Sequence, residues 1–408
     1  MSNTATSTAP GPERVWVTNA RLADGRHVDL ALREGRIEAV LPAGESREGP
    51  THDVAGWLLL PPMGEPHAHL DKALTAERVP NPKGDLGGAI EAWVAAAAAG
   101  VFTPHEMVER IRAALDKLLL SGVTAVRSHV NCGSGSGIWH LQAAQEAAAS
   151  YAGLMDVELV ALTHTPMVGP GSELNQRALS DAVAAGVDLV GGCPHLEVDG
   201  DGSIAHALTV AAAGGLPVDL HVDEMLDPGM LTLRSLARQV IERGMQGRVT
   251  ASHCVSLGVQ PVDVQEAVAA EVAAAGIAVV ALPQTNLFLQ GRDHPVSTPR
   301  GLTAIAPLRA AGVLVAAGGD NVQDPFNLVG RSDPLETAAL LVMAGHVLPD
   351  DAYAMVSNDV RRAMRLPPVR FEPGDPADFV AIDAPSIRAA IADAPSDRMV
   401  FHAGRCVA

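Results

Sequence analysis

Two histidines separated by one residue, His67 and His69, follow an apolar run near the start of the chain. Alternate residues of a strand point to the same face, so both imidazoles can bind one metal ion. Taken alone, this short motif fits a structural pair as well as a metal site. His221 and Asp320 end two later apolar runs and complete a set of three imidazoles and one carboxylate. Such a set suits zinc or ferrous iron with a position open for water.

Other ionisable residues also finish or follow apolar runs of strand length. They are His129, His195, Asp223, Glu224 and His253. The carboxyl ends of the strands in a parallel barrel meet at one rim, so this placement predicts an active site there. For His129 and His195 the alternative is a structural role as hydrogen-bonded core histidines.

The segments that carry these residues alternate between strand-length apolar runs and longer helical patterns, as repeated βα units do. Eight strands are predicted, at 58–67, 124–130, 157–163, 187–193, 217–223, 248–254, 277–283 and 313–319. The helices predicted between them include 103–121, 141–152, 174–185, 230–244 and 262–276. This pattern favours the α/β class and a closed (β/α)8 TIM-type barrel. An open doubly wound sheet is the alternative, because it also places its site at strand ends.

The two ends of the chain differ from the middle, with short alternating apolar runs and turns such as Asp24-Gly25. They predict a small β-sandwich domain built from both termini. The predicted division is a disordered tail at 1–13, sandwich at 14–56, barrel at 57–366 and sandwich again at 367–408. A length of 408 residues would also allow two or three smaller domains.

The composition argues against several kinds of partner. The chain has 29 Lys and Arg against 47 Asp and Glu, a formal net charge of −18, and no basic stretch offsets it. Nucleic acid and anionic membranes are therefore not expected as partners. The apolar stretches are too short to span a bilayer, and the first residues lack the features of a secretory signal. We predict a cytoplasmic protein.

The four cysteines are far apart and form no CxxC pair. This spacing favours buried reduced thiols over a disulfide framework or a structural zinc site. Cys193, at the end of a predicted strand, has the alternative role of a metal-bridging thiolate, although burial as a small apolar residue is favoured.

Several segments together resemble the amidohydrolase superfamily, and within it the cytosine deaminase branch. They are PMGEPHAHLDK at 62–72, RSHV at 127–130, PHLE at 194–197, HVDE at 221–224, TASH at 250–253, LQGR at 289–292 and GDN at 319–321. They follow the family's order along essentially the whole chain, and GDPAD at 374–378 resembles a strand of the family's C-terminal sandwich.

The resemblance implies roles for the site residues. His67, His69, His221 and Asp320 would bind the metal, Glu224 would shuttle protons and His253 would hold the attacking water. A divalent cation lowers the pKa of bound water to about 7, and Asp320 can accept its proton. Attack at the ring carbon that bears the amino group, with Glu224 protonating a ring nitrogen, would release ammonia.

The lysines predict how many ions are bound. They are Lys72, Lys83 and Lys117, and none lies on the fourth predicted strand, where two-metal relatives carry a carbamylated lysine. The chain therefore resembles the class with one divalent ion per chain, Zn²⁺ or Fe²⁺. For Lys72 the expected role is an ion pair with Asp71 or another nearby carboxylate.

The resemblance also places substrate-binding residues, namely His164, Gln290, Arg292, Asn321 and Phe326. His164 stands where cytosine deaminases have glutamine, and its imidazole can become a cation near neutral pH. Asn321 replaces a second aspartate, and Phe326 replaces a tryptophan. Because unpaired buried polar groups are costly, cytosine itself is not expected to be the substrate.

The sequence thus predicts a metal-dependent hydrolytic deaminase acting on an amino-substituted nitrogen heterocycle. The alternatives are an amidohydrolase of cyclic amides or N-alkylamino-triazines, and a metal-binding barrel without activity. The non-catalytic reading is disfavoured because binding alone needs neither Glu224 nor His253. The expected partner is a small heterocyclic substrate, with a homo-oligomer possible.

Overall fold

The structure is a computed structural model that describes residues 14–408. The predicted tail at 1–13 lies outside the described residues. Five short strands come first: β1 (Val15–Leu22), β2 (His27–Arg33), β3 (Arg36–Pro42), β4 (Thr51–Asp53) and β5 (Leu58–Leu60). The first three form antiparallel hairpins. Glu34 and Gly35, between β2 and β3, both have positive φ, as a tight two-residue hairpin turn requires.

The next strands form an eight-stranded parallel sheet in sequential order. They are β6 (Met63–Ala68), β7 (Val123–Cys132), β8 (Asp156–Thr163), β9 (Leu189–Gly192), β10 (Val218–Val222), β11 (Val249–His253), β12 (Ala278–Ala281) and β13 (Val315–Ala317). Asp320, just after β13, pairs with Ala68 of β6. Glu65 of β6 also accepts a hydrogen bond from the Gly319 amide at 2.7 Å. The first and last strands therefore meet, and the predicted barrel is confirmed.

The predicted strand at 58–67 is wrong as a single strand. In the structure it is β5, which pairs with β1, followed by β6, which pairs with β7. Pro61 and Pro62 separate them, because neither proline can donate the backbone hydrogen bond that a continuous strand would need. The apolar run hides this break, since both strands are buried.

Three C-terminal strands complete the small sheet: β14 (Phe379–Ile382), β15 (Arg398–His402) and β16 (Arg405–Cys406). β14 lies antiparallel to β5, so strands from both ends of the chain share one sheet. The sheet curls around its own core, because Ile37 of β3 bonds to the backbone of Gly374 and Asp375. Leu30, Phe379 and Phe401 share this core. The predicted small domain from both termini is confirmed.

Helices connect and surround the strands. They are α1 (Leu86–Ala98), α2 (Pro104–Leu120), α3 (Trp139–Ala149), α4 (Glu173–Ala184), α5 (Gly200–Gly214), α6 (Thr232–Glu242), α7 (Val262–Ala274), α8 (Pro283–Leu289), α9 (Ile305–Ala310), α10 (Pro334–Met343), α11 (Pro349–Met355), α12 (Asn358–Ala363) and α13 (Ile387–Asp393). Within residues 14–408, no helix is both long and apolar enough to cross a membrane.

The five helices named in the prediction correspond to α2, α3, α4, α6 and α7; α1 and α5 are among those it did not name. Both begin in glycine-rich sequence, which is typical of loops. An aspartate caps each of them: Asp85 accepts from the Gly88 amide and Asp199 from the Gly202 amide. These caps satisfy amide groups that a helix start leaves free, and so offset the low helix propensity of glycine.

Candidate metal centre and active site

The four predicted metal ligands lie together at the carboxyl rim of the barrel. His67 lies in β6 and His69 directly after it, His221 lies in β10, and Asp320 lies in the segment after β13. The Nε2 atom of His221 lies 3.1 Å from Nε2 of His67 and 3.0 Å from Nε2 of His69. Asp320 Oδ1 lies 3.4 Å from His69 Nε2 and 3.8 Å from His67 Nε2. All four side chains are buried.

The chemistry of this cluster fits a divalent cation. Burial, reinforced by neighbouring ionisable side chains, lowers the pKa of His67, His69 and His221 well below its usual value. The three rings are therefore neutral, and each can offer a nitrogen lone pair to a metal ion. Burial raises the pKa of Asp320 well above its usual value. Neither oxygen of Asp320 has a hydrogen-bond partner among residues 14–408. A cation would satisfy the carboxylate and the facing nitrogens together, at a place where unpaired polar atoms are otherwise costly.

A buried relay orients His67. Its Nδ1 atom lies 2.9 Å from Ser252 Oγ, which donates to Asp219 Oδ1 at 3.0 Å. Arg127, fully buried, donates to the other oxygen of Asp219 at 2.9 Å. Since the Ser252 hydroxyl donates its hydrogen to Asp219, its oxygen accepts a hydrogen bond from Nδ1–H of His67. Nε2 of His67 therefore carries no hydrogen, and its lone pair faces the cluster.

Replacing Ser252 with alanine is expected to weaken metal affinity roughly 10- to 100-fold, the usual effect of losing a group that orients a ligand. Competition with a chromophoric chelator measures this affinity. Ser203→Ala, at a buried serine of α5, is the matched control and should leave it unchanged. Equal affinities for both variants would show that the relay does not orient His67.

Two further histidines, His195 and His129, contact the residues of the metal cluster. Nδ1 of His195 donates to the His221 backbone carbonyl at 3.1 Å. The His129 ring lies 4.0 Å from the His67 ring, and its Nε2 is 3.5 Å from Asp219 Oδ1. Both residues therefore contact the predicted ligands or their supports.

Glu224 and His253, predicted to move protons and hold water, lie beside the cluster. Nδ1 of His253 donates to Asn286 Oδ1 at 3.0 Å, which leaves its Nε2 atom 3.9 Å from Asp320 Oδ2. Glu224 Oε1 is 3.6 Å from His253 Nδ1. Burial raises the pKa of Glu224 to about 8 and lowers the pKa of His253 to about 3. The site thus combines a carboxyl group that can donate near neutral pH with a neutral imidazole.

The backbone at these positions is unusual. His253 and Asp320 have φ values of 71° and 65°, in the left-handed region that non-glycine residues rarely adopt. Such conformations concentrate at functional sites, where the surrounding structure holds them in place.

A cavity of about 550 Å³ opens from the cluster. His69, His221, Glu224, His253 and Asp320 line its polar end. Its other walls are largely apolar and include Leu86, Ile90, Trp93, Phe102, Trp139, His140 and Leu162. The combination of a polar end and apolar walls is typical of a site for a flat organic ring.

Sequence reasoning missed this aromatic wall. Trp93 lies on α1, a helix that was not predicted, and Trp139 and His140 begin α3 after a glycine- and serine-rich loop. One signal was available: two of the chain's four tryptophans lie in the segments that follow the first and second barrel strands, where active-site loops lie.

Three of the five predicted substrate-binding residues, His164, Asn321 and Phe326, line the cavity. Burial, with Lys72 and His140 nearby, lowers the pKa of His164, so the structure favours its neutral form over the cation considered above. The Asn321 amide is already engaged, because its Nδ2 donates to Asp324 Oδ2 at 2.8 Å.

Gln290 and Arg292 do not line the cavity. Gln290 donates to the Glu224 backbone carbonyl at 3.0 Å and so holds the segment that carries Glu224. Arg292 is exposed; it lies over the Phe288 ring and donates to the Phe288 carbonyl at 2.7 Å. The end of α8 at Leu289 turns both side chains away from the cavity.

A barrel with three histidines and an aspartate converging at its carboxyl rim defines a metal-dependent hydrolase. Residues 95–408 match the Amidohydrolase family, and the chain belongs to this family. The family resemblance inferred from the motifs is thereby confirmed.

Individual relatives narrow the activity. The chain is 31% identical to a pterin deaminase of Rhizobium rhizogenes, over 98% of this chain and 92% of that protein. It is 24% identical to an N-isopropylammelide isopropyl amidohydrolase of a Pseudomonas species, over 96% of each. Among solved structures, a 5-methylcytosine deaminase from Klebsiella pneumoniae liganded with 5-fluorocytosine superposes with a TM-score of 0.88, at 28% identity over 96% of this chain and 97% of that chain.

The protein is a metal-dependent deaminase that acts on a nitrogen heterocycle, and that heterocycle need not be cytosine.

Proposed function

We propose that the substrate is a fused 2-amino-oxopyrimidine such as 2-amino-4-oxopteridine. Water would replace the amino group at the carbon between two ring nitrogens, giving the dioxo ring and ammonia. The observation that carries this proposal is the apolar wall, which extends the cavity away from the polar cluster and provides room for a second ring. Similarity to a pterin deaminase over nearly the whole chain supports the same substrate class.

The proposed cofactor is one divalent ion per chain, Zn²⁺ or Fe²⁺, held by His67, His69, His221 and Asp320. When bound, it would act as a Lewis acid that makes water nucleophilic near neutral pH. The lysine pattern supports a single ion, because β9 contains no lysine. Lys72, a lysine that lines the cavity, donates to Asn131 Oδ1 at 3.0 Å and lies 3.7 Å from Asp71 Oδ1.

Three side chains, Asp320, His253 and Glu224, carry out the proton transfers and position the water. Asp320 has one oxygen facing His67 and His69 and the other facing His253, so the second oxygen can take a proton from the attacking water. Nε2 of His253 accepts a hydrogen bond from that water. Glu224 delivers a proton to the ring nitrogen beside the reacting carbon, which prevents negative charge from accumulating on the ring. The proton that Asp320 took from the water passes to the departing amine, which leaves as ammonia. Glu224 regains its proton from the hydroxyl group on the reacting carbon as the ring carbonyl forms.

The remaining expectations stay predictions: a cytoplasmic location, possible homo-oligomerisation, and no nucleic-acid or membrane partner.

A panel of ring compounds tests the proposed function. With the zinc or iron form, kcat/KM for 2-amino-4-oxopteridine is expected to exceed that for cytosine at least about 100-fold, the discrimination available to a shaped pocket. Coupled detection of ammonia and the ultraviolet spectrum of the ring follow the reaction. Loss of the ring chromophore without ammonia would instead indicate ring opening of a cyclic amide. Cytosine deamination with kcat/KM on the order of 10⁵ M⁻¹s⁻¹ or above would contradict the proposal.

His164→Gln sharpens the same experiment. Glutamine presents a donor and an acceptor at angles that an imidazole cannot match, so the ranking of substrates should change while metal content does not. His105→Gln, at an exposed position on α2, is the control and should preserve the ranking.

A further inference from the structure

A second pair of groups, distinct from the metal cluster, lies along the wall of the cavity. Asp71 is fully buried, and its Oδ2 atom accepts hydrogen bonds from His140 Nδ1 at 2.9 Å and from the Asn131 amide at 3.1 Å. Its other oxygen lies 3.7 Å from Lys72 Nζ. The carboxylate is thereby held from several sides, and it fixes the orientation of the His140 ring.

This orientation determines what His140 offers to the cavity. The ring donates through Nδ1 to Asp71, so in its neutral form Nε2 is an acceptor. His140 lines the cavity, and its Nε2 has no hydrogen-bond partner among residues 14–408. A buried side chain held by a carboxylate, with its remaining polar atom unpaired in a ligand cavity, is suited to recognising a donor on a ligand.

Aromatic rings surround this acceptor. The Trp139 ring lies 4.0 Å from the His140 ring at an interplanar angle of 61°, and the Trp93 ring lies 6.3 Å away. Trp93 is itself stacked on Phe102 at 4.5 Å. His140 therefore lies among aromatic rings, with Lys72 and His164 as polar neighbours in the same cavity.

His140 lines the cavity but is not part of the metal cluster. His69 contacts Lys72, Lys72 lies beside Asp71, and Asp71 holds His140, so two side chains separate His140 from the nearest predicted ligand. A fused substrate whose amino-bearing carbon lay at the cluster would have room for its second ring along this wall.

We infer that His140, held by Asp71, is a specificity-determining residue that accepts a hydrogen bond from an N–H on the second ring of the substrate. This inference rests on the proposed function and narrows its substrate class. The preferred ligands are fused 2-amino-oxopyrimidines whose second ring carries an N–H, as in a lactam or a reduced ring. A second ring with only acceptor nitrogens leaves Nε2 of His140 unpaired.

Two pteridines that differ in this group test the inference. 2-Amino-4,7-dioxopteridine carries a lactam N–H in its second ring, whereas 2-amino-4-oxopteridine has only acceptor nitrogens there. The unmodified protein should prefer the first roughly tenfold or more in kcat/KM. His140→Phe keeps an aromatic ring but removes the acceptor, and should abolish the preference, mainly by raising KM for the lactam. His140→Gln restores an acceptor and should recover part of it.

The controls separate this inference from the proposed function. His206→Phe, at a half-buried histidine of α5, should keep the full preference. Metal content and thermal unfolding confirm that each variant is folded. An equal preference in His140→Phe and the unmodified protein would overturn the inference while the proposed function stands. Failure of the unmodified protein to deaminate either pteridine would overturn both.

Discussion

Replacing Glu224 with glutamine is expected to lower kcat by roughly 10²- to 10⁴-fold, the usual contribution of a positioned acid or base. The amide keeps the shape of the side chain and can still pack in the cavity, but it cannot give up and regain a proton. Glu224 is not among the four predicted ligands, so metal content should stay at the unmodified level. Single-turnover rates of ammonia release, measured with metal analysis of the same sample, test both statements.

The pH profile gives this prediction a second readout. Burial favours the neutral carboxyl group and raises the pKa of Glu224 to about 8, so the group can donate a proton below that pH and loses this ability as the pH rises through it. Activity of the unmodified protein should therefore decline on the alkaline side of about pH 8. In Glu224→Gln this decline should disappear together with most of the rate.

Glu242→Gln, at the exposed end of α6, is the matched control and should retain both the rate and the pH profile. Near-normal turnover in Glu224→Gln would show that another group moves the proton.

Replacing His221 with alanine is expected to remove the metal and reduce activity to background. His221 is the central histidine of the cluster, because its Nε2 atom lies within 3.1 Å of the corresponding atoms of both His67 and His69. Its loss leaves two imidazoles and a carboxylate, fewer protein ligands than the predicted set of four supplies. Elemental analysis of the purified variant and ammonia release from the preferred ring compound check the two effects.

Removal of the ion by a chelator should give the same loss of activity in the unmodified protein, and it should lower Tm because the ion stabilises the folded state that binds it. Zinc or ferrous iron should restore both properties. His105→Ala, at an exposed histidine of α2, should change neither metal content nor rate. Two tightly bound equivalents per chain would contradict the single-ion assignment, and full activity of His221→Ala would contradict the ligand set.

The barrel and the predicted metal ligands could be identified without the structure because both depend on local patterns. Alternation of strand-length and helical segments specifies parallel βα units, and the polar residues that end those strands must meet at one rim. His67 and His221 lie near the carboxyl ends of β6 and β10, and His69 and Asp320 shortly follow β6 and β13. Their convergence therefore follows from topology, even though more than 250 positions separate the first from the last.

Contacts that depend on how loops and helices pack could not be predicted from the pattern of strands and helices along the sequence. Gln290 lies in a motif of the family, yet the end of α8 directs it to the Glu224 backbone rather than into the cavity. Asn321 is adjacent to a predicted ligand, but Asp324 occupies its amide. Neither arrangement has a periodic signal, because each depends on a hydrogen bond whose geometry the sequence pattern does not specify.

The wall of the cavity also shows which features follow from the sequence pattern and which depend on tertiary packing. By itself, the sequence determined the barrel and the residues suited to bind an ion, because strand periodicity and topology bring these together. Its motifs, compared with those of the family, indicated membership of a metal-dependent hydrolase family. Tertiary structure alone decided the shape and polarity of the cavity beyond the ion-binding residues. Asp71 and His140 are 69 positions apart and meet only because α3 packs where β7 ends. Specificity depends on such packing of side chains from separate elements, and a hydrophobic pattern along one element carries no information about its neighbours.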